Sequence, residues 1–189
     1  MKRTKRNYEL EPDPFACYKM EYIHSQSKLN FESTTKWLYL GANTRDGQFA
    51  KVGITMGDLT GRSSSSESPG YYLFCAFKCR ENISRFELER IEKSALNYLE
   101  GLFTYSDGAT KRASHRESER ISECFYDVDF LDFFVELHYY LYENHCNYFI
   151  RSGFENDAGV DEGDFLDCEF NGRTMSLSEV NRHIRMILQ

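Results

Sequence analysis

A capped amphipathic helix placed directly after a long apolar run constrains this chain more than any other feature. Ser84 and Glu87 form a capping box, Ile83 and Leu88 can staple across it, and Gly101 suits the position just past a helix end. The spacing predicts a helix over 85–100. Projected at about 100° per residue, Leu88, Ile91, Ala95, Tyr98, Leu99 and Leu102 share one stripe, with Glu92 at its border and Glu89 on the solvent side. Such a stripe must bury itself against another layer. The preceding run, Tyr71-Tyr72-Leu73-Phe74-Cys75-Ala76-Phe77-Lys78-Cys79, is too apolar for a loop and reads as a largely buried strand of that layer.

More of the sheet is visible upstream. Trp37-Leu38-Tyr39-Leu40-Gly41 is a short apolar strand, Asn43-Thr44-Arg45-Asp46-Gly47 carries Asp-Gly turn chemistry, and Phe49-Ala50-Lys51-Val52-Gly53-Ile54-Thr55 reads as the returning strand of a hairpin. A serine tract at 63–66, closing at Pro69-Gly70, marks a surface loop. Residues 1–33 show no clear period and read as a lead-in. Beyond the helix, 104–120 reads as a long polar loop, and Glu123-Cys124-Phe125-Tyr126-Asp127-Val128 as a strand or a turn. Leu131, Phe134, Leu137, Leu141 and Tyr148 then recur at helical spacing. Asn171-Gly172 gives a hairpin signal, and Ser176 with Glu179 opens a last amphipathic helix.

At 189 residues the chain suits one domain with an elaboration. Its 41% hydrophobic and 28% charged residues, with only 3 Pro, exclude disordered and fibrous classes. The basic start lacks the apolar run of a secretory leader, and no stretch approaches the ~20 apolar residues that span a bilayer. Cys17, Cys75, Cys79, Cys124, Cys146 and Cys168 have no metal-type spacing, so they are expected to be reduced thiols in a cytoplasmic protein. His24, His115, His138, His145 and His183 likewise lack paired ligand spacing.

The net charge of −7 is uneven. Residues 1–127 hold 19 Lys and Arg against 18 Asp and Glu, whereas 128–189 hold 4 against 12. The first part can therefore carry a local basic groove, while the acidic tail is ill suited to phosphates. Arg45, Lys78, Arg80, Lys111, Arg112 and Arg116 are the candidate DNA contacts. For the acidic run 155–169 three readings stand: a solvated hairpin, a surface for a protein partner, or a cover that competes with DNA.

Tyr39, Lys51, Arg62 and Glu92 follow one another on strand, strand, loop and helix. Singly, each suits a bland role: a core tyrosine with a bonded hydroxyl, a solvated strand lysine, a loop arginine, a helix-surface carboxylate. In this order they resemble the GIY-YIG nuclease superfamily, in its phage and prophage branch whose second motif reads KIGIT. Lys36-Trp37-Leu38-Tyr39-Leu40 stands at the GIY strand, without the motif's glycine and isoleucine, and Lys51-Val52-Gly53-Ile54-Thr55 stands at the second motif. Arg62 matches the downstream arginine, Ile91-Glu92 the helical acidic position, and Glu123-Cys124-Phe125 an EWF-like triplet.

The resemblance spans roughly 36–127, giving a lead-in at 1–33, a nuclease-like domain at 34–127 and an acidic elaboration at 128–189 that packs on the core. It implies an α+β fold with a small, mainly antiparallel three-stranded sheet flanked by helices. It also implies Mg²⁺-dependent endonucleolytic hydrolysis of DNA. Glu92 would hold the cation and Arg62 the scissile phosphate. Tyr39 would be general base, its phenol, ordinarily titrating near pKa ≈ 10, assisted by the Lys51 ammonium. The alternative is a catalytically inactive DNA- or protein-binding regulator on the same scaffold.

Overall fold

Two strands zip together because a short polar turn between them satisfies its own backbone. Asn43 Oδ1 accepts from the Arg45 N–H at 2.9 Å and Asp46 Oδ1 from the Gln48 N–H at 3.0 Å, an Asx-type arrangement that reverses the chain. These strands are β1 (Glu32–Asn43) and β2 (Ala50–Thr55). The computed structural model describes residues 32–57, 59, 70–156 and 158–189. The rest runs β3 (Tyr71–Arg80), α1 (Arg85–Leu102), β4 (Arg112–Ser114), β5 (Ile121–Phe125), α2 (Phe130–His145), a 3₁₀ turn (Cys146–Tyr148), β6 (Arg151–Glu155), β7 (Asp161–Leu166), β8 (Cys168–Phe170) and α3 (Leu177–Met186).

The fold is α+β, with an antiparallel sheet ordered β4-β5-β2-β1-β3-β8 and a separate β6-β7 hairpin. The expected three strands are its centre, and the three-stranded description is corrected to six. The added strands β4, β5 and β8 have only three to five residues, and strands this short are held by their partners rather than by local propensity. β4 lies inside the segment read as loop. β8 brings the acidic tail into the sheet through Cys75↔Phe170 and Phe77↔Cys168.

Alternation divides β1 between two cores. Leu38, Leu40 and Ala42 join Val52, Phe77, Leu88, Ile91, Phe133, Phe134, Leu137 and Phe170 beneath the helices, while Trp37 and Tyr39 join Phe49, Leu59, Tyr71, Leu73 and Ala76 on the opposite face. A register shift after Leu40 leaves Phe74 as an extra residue in β3. This bulge turns Tyr71 and Leu73 to the Tyr39 side while Phe74 stays with the helices.

The capping box of α1 is present, with Ser84 Oγ accepting from the Glu87 N–H at 3.2 Å and Glu87 Oε2 accepting from the Ser84 N–H at 2.8 Å. The helix runs through Gly101 to Leu102 rather than stopping before Gly101. Its buried row includes Leu96, whereas Leu102 is half in solvent. The apolar stripe is thus rotated toward Glu92. In α2 the buried His138 accepts at Nε2 from the Leu166 N–H at 3.0 Å, and burial pushes its pKa down to about 4.

Two tail expectations part company. Ser176 and Glu179 do cap α3. Asn171-Gly172 makes no hairpin; the Asn171 carbonyl accepts from the Thr174 and Met175 N–H groups in a turn that leads into that helix. The hairpin lies upstream, where Asn156 Oδ1 accepts from the Ala158 and Val160 N–H groups. The asparagine side chain supplies the turn there without a hairpin-type Asn-Gly pair. Among the described residues no helix is long and apolar enough to cross a membrane.

Candidate functional site

The β1-β2 register decides which polar side chains meet. Tyr39 stands opposite Gly53 and Gly41 opposite Lys51, so Tyr39 and Lys51 are diagonal neighbours on one face. Gly53 has a steric reason. A Cβ there would lie 2.5 Å from both the Tyr39 Cζ and hydroxyl oxygen, so the phenol lies flat across the bare backbone. Gly41 plays the same part beneath Tyr71, whose ring would meet a Cβ closer still. Lys51 completes the cluster, its ammonium 6.0 Å from the Tyr71 ring centroid. Tyr39 is only 4% exposed and Tyr71 9%.

Glu92 lies on the helix that packs against β2 from the other side of the sheet. β5 pairs with β2 at Ala50 and Lys51, and beyond that short ladder α1 packs along β2. Glu92 lies between the buried Leu88 and Leu96, and its Oε1 is enclosed without a hydrogen-bond partner. Burial pushes its carboxyl up to about 7; Glu123 and Glu89 add to the rise, and Lys51 and Arg112 oppose it. Glu123 Oε2 stands 3.9 Å from Lys51 Nζ. Strand alternation puts Glu123 on the side of Phe125 in the helical core, while Cys124 packs against the Tyr39 cluster.

Thus Tyr39 and Lys51 share a face, and Lys51 and Glu92 act on one another across the β2 edge. Arg62 lies outside the described residues. Among the described residues no group of three or more His, Cys, Asp or Glu is arranged around a common metal position.

The six basic candidates do not share one patch. Lys78 is ion-paired with Asp167 at 3.1 Å, and Arg80 Nε donates to the Phe149 carbonyl at 3.2 Å. Arg112 bridges Glu100 at 2.9 Å and the Ser122 carbonyl at 2.7 Å, and Lys111 donates to the Asp127 carbonyl at 2.6 Å. Arg45 and Arg116 are exposed. β3 and β4 are four strands apart in the sheet order, about 19 Å at ordinary interstrand spacing, so Lys78 and Arg112 lie on separate parts of the sheet.

Sequence reasoning passed over Tyr71 and gave Glu123 no role of its own. The signal for Tyr71 was Gly41, a glycine inside an apolar strand, which marks a close approach. Glu123 was visible only as the first residue of its triplet. None of the protein-family models, curated proteins or solved structures compared with this chain matches it.

Proposed function

We propose that this protein is a DNA endonuclease that hydrolyses phosphodiester bonds with one divalent cation held by Glu92. The observation that carries the reading is the enclosed, partnerless Glu92 Oε1, on a carboxyl whose charge the Lys51 ammonium favours, with Lys51 in turn diagonal to Tyr39 across β1 and β2. A carboxylate oxygen without a protein donor suits a hard cation. With so few ligating side chains at hand, such an ion would complete its shell from water and substrate phosphate, the regime that Mg²⁺ favours. When bound, the cation supplies Lewis acidity to the phosphate.

The remaining chemistry belongs to the chain. The Tyr39 phenolate oxygen takes the proton from the attacking water and becomes the neutral phenol, with the Lys51 ammonium on the same face. The flat seat over Gly53 fixes the phenol's direction, so its oxygen is positioned before substrate arrives. The Arg62 guanidinium, suited to two phosphate oxygens at once, would hold the scissile group, a role that rests on its sequence position alone.

The burial of Tyr39 favours a second reading, a binding or regulatory protein that keeps the scaffold without turnover. Nicking of supercoiled plasmid separates the two. An enzyme opens the circle in Mg²⁺ and is silent in EDTA; no Mg²⁺-dependent opening by the purified protein removes the nuclease reading and leaves the binding one.

A further inference from the structure

Among the described residues, the enclosed side-chain atoms without a hydrogen-bond partner are Glu92 Oε1, His138 Nδ1 and His183 Nδ1. The two imidazoles are 0% and 6% exposed, and both stand where the C-terminal elements meet the rest of the core. His138, on α2, accepts at Nε2 from the Leu166 N–H at the end of β7. The Nε2 lone pair is thereby in use, so the neutral ring carries its proton on Nδ1. Within α3 only His183 is buried. Its ring lies in a box of three phenylalanines, with centroids 5.1 Å from Phe74 of β3, 6.4 Å from Phe134 of α2 and 6.0 Å from Phe170 of β8.

The elements held at these two points are tied to one another. Gln189 exchanges backbone bonds with Asp164 at 3.0 and 3.4 Å, and Arg185 Nε donates to Glu162 at 3.0 Å, which joins α3 to β7. This unit meets β3 through the short β8 ladder, the Lys78 N–H bond to the Asp167 carbonyl at 2.8 Å and the Asn171 N–H bond to the Phe74 carbonyl at 3.2 Å.

We propose that His138 and His183 form an acid-operated latch, whose protonation frees β7, β8 and α3 as a unit from α2 and β3 and uncovers the β3 edge. A proton added at His138 Nε2 faces the Leu166 N–H, so an acceptor becomes a second donor and the bond is lost. A charge on His183 is confined to a box of phenylalanine rings, with no acceptor at Nδ1. The neighbouring charges do not offset this. Asp164 favours the His138 cation, but it also accepts from the Tyr142 hydroxyl at 2.8 Å and pairs with Arg151 at 3.6 Å. The rings of Phe77 and Tyr142 flank His138 at 6.0 and 5.7 Å. At His183, Arg182 opposes the cation and Glu179, engaged in the α3 capping box, favours it. Burial outweighs both attractions and holds both imidazoles below their ordinary range, His138 at about 4. The closed unit is therefore favoured fully above pH 6.5 and less and less as pH falls below it. The latch goes beyond the nuclease reading and does not rest on it.

Native-state hydrogen exchange of the full chain, from pH 7.5 to 5.5 and corrected for the intrinsic rate, tests the latch on wild type, His138→Gln, His183→Phe and the double variant. Glutamine still offers Leu166 an acceptor and phenylalanine fills the box, and neither titrates; His183→Leu is the second variant at that position. In wild type, amides of β7, β8 and α3 should open more readily than those of β1 and β2 at every pH. Their opening constant should rise by about tenfold from His138 alone over these two pH units, and further with His183. Each single variant should lower that rise, and the double variant should hold it below about twofold. Tail and core amides opening with one shared constant at every pH would overturn the release of a separate unit. A wild-type rise that persists in the double variant, or imidazole signals of His138 and His183 titrating at the ordinary value in the closed protein, would overturn the histidine latch, and this last reading needs no variant to fold.

Discussion

Substituting Gly53 by alanine tests the seat of Tyr39 without touching a polar group. The new Cβ would lie 2.5 Å from the Tyr39 Cζ and hydroxyl oxygen and 3.0 Å from Cε2, about an ångström inside ordinary carbon contact. Tyr39 is 4% exposed and packed with Trp37, Tyr71 and Leu73, so its ring has no free direction in which to swing. Overpacking of this kind costs about 1–3 kcal/mol, and the stiffer unfolded chain of alanine returns about 0.4–1 kcal/mol. The net expectation is destabilisation by roughly 1–2 kcal/mol, read as a lowered midpoint in urea with an unchanged slope.

Two controls make the reasoning refutable. Tyr39→Leu removes the three atoms that clash; in that background Gly53→Ala should change stability by less than about 0.5 kcal/mol or raise it, giving a coupling of about 1 kcal/mol or more. Gly57, with nothing within 4 Å of an added Cβ, should accept alanine with a change within about 0.5 kcal/mol. A Gly53→Ala effect equal in both Tyr39 backgrounds, or absent in the wild type, would refute the seat.

Three further outcomes concern charge. Because the Glu92 carboxyl is held up at about 7 in the fold against 4.5 when free, the stability it lends is complete below 4.5 and lost as pH rises through 7. Glu92→Gln should therefore stabilise the protein more at pH 8 than at pH 4.5, by about 1–2 kcal/mol after discounting for its partial exposure, and equal urea midpoint shifts at both pH values would contradict the burial. His138 is depressed to about 4 from 6.5, so its contribution is complete above 6.5 and lost as pH falls toward 4, by about 3 kcal/mol; His138→Gln should remove that slope from the urea titration series. Arg112→Ala should lower stability by about 1–2 kcal/mol through its lost bonds to Glu100 and the Ser122 carbonyl, with DNA affinity measured by fluorescence anisotropy unchanged. A tenfold loss of affinity without loss of stability would return Arg112 to the phosphate contacts.

The legible parts of the fold are those whose signals are local. Both capping boxes, the β1-β2 turn and the apolar run of β3 are written within a few residues of where they act, and each has its counterpart in the structure. The illegible parts depend on distant partners. Arg112–Ser114 is a strand because it pairs with Ile121–Phe125, and Cys168–Phe170 because it pairs with β3; neither has a period of its own. Gly101 shows the limit of a local rule, since glycine past a helix end and glycine in its last turn look alike in sequence. At the candidate site the placing of Tyr39 and Lys51 on one face followed from alternation once the register was known. The proximity of Glu123 to Lys51 did not, because it arises where the β2-β5 ladder stops. The scatter of the basic residues across the sheet is likewise invisible until the strand order is known.

The most direct test of the account is single-turnover nicking of plasmid by wild type and by Glu92→Gln in Mg²⁺, with DNA affinity measured on the same preparations. The expected result is a cleavage rate lower by at least about three orders of magnitude in the variant, the scale of losing a main electrostatic contribution to the transition state, at an affinity within about twofold of wild type. Cleavage surviving in Glu92→Gln at the wild-type rate would contradict the claim that this half-buried carboxylate is the heart of the site.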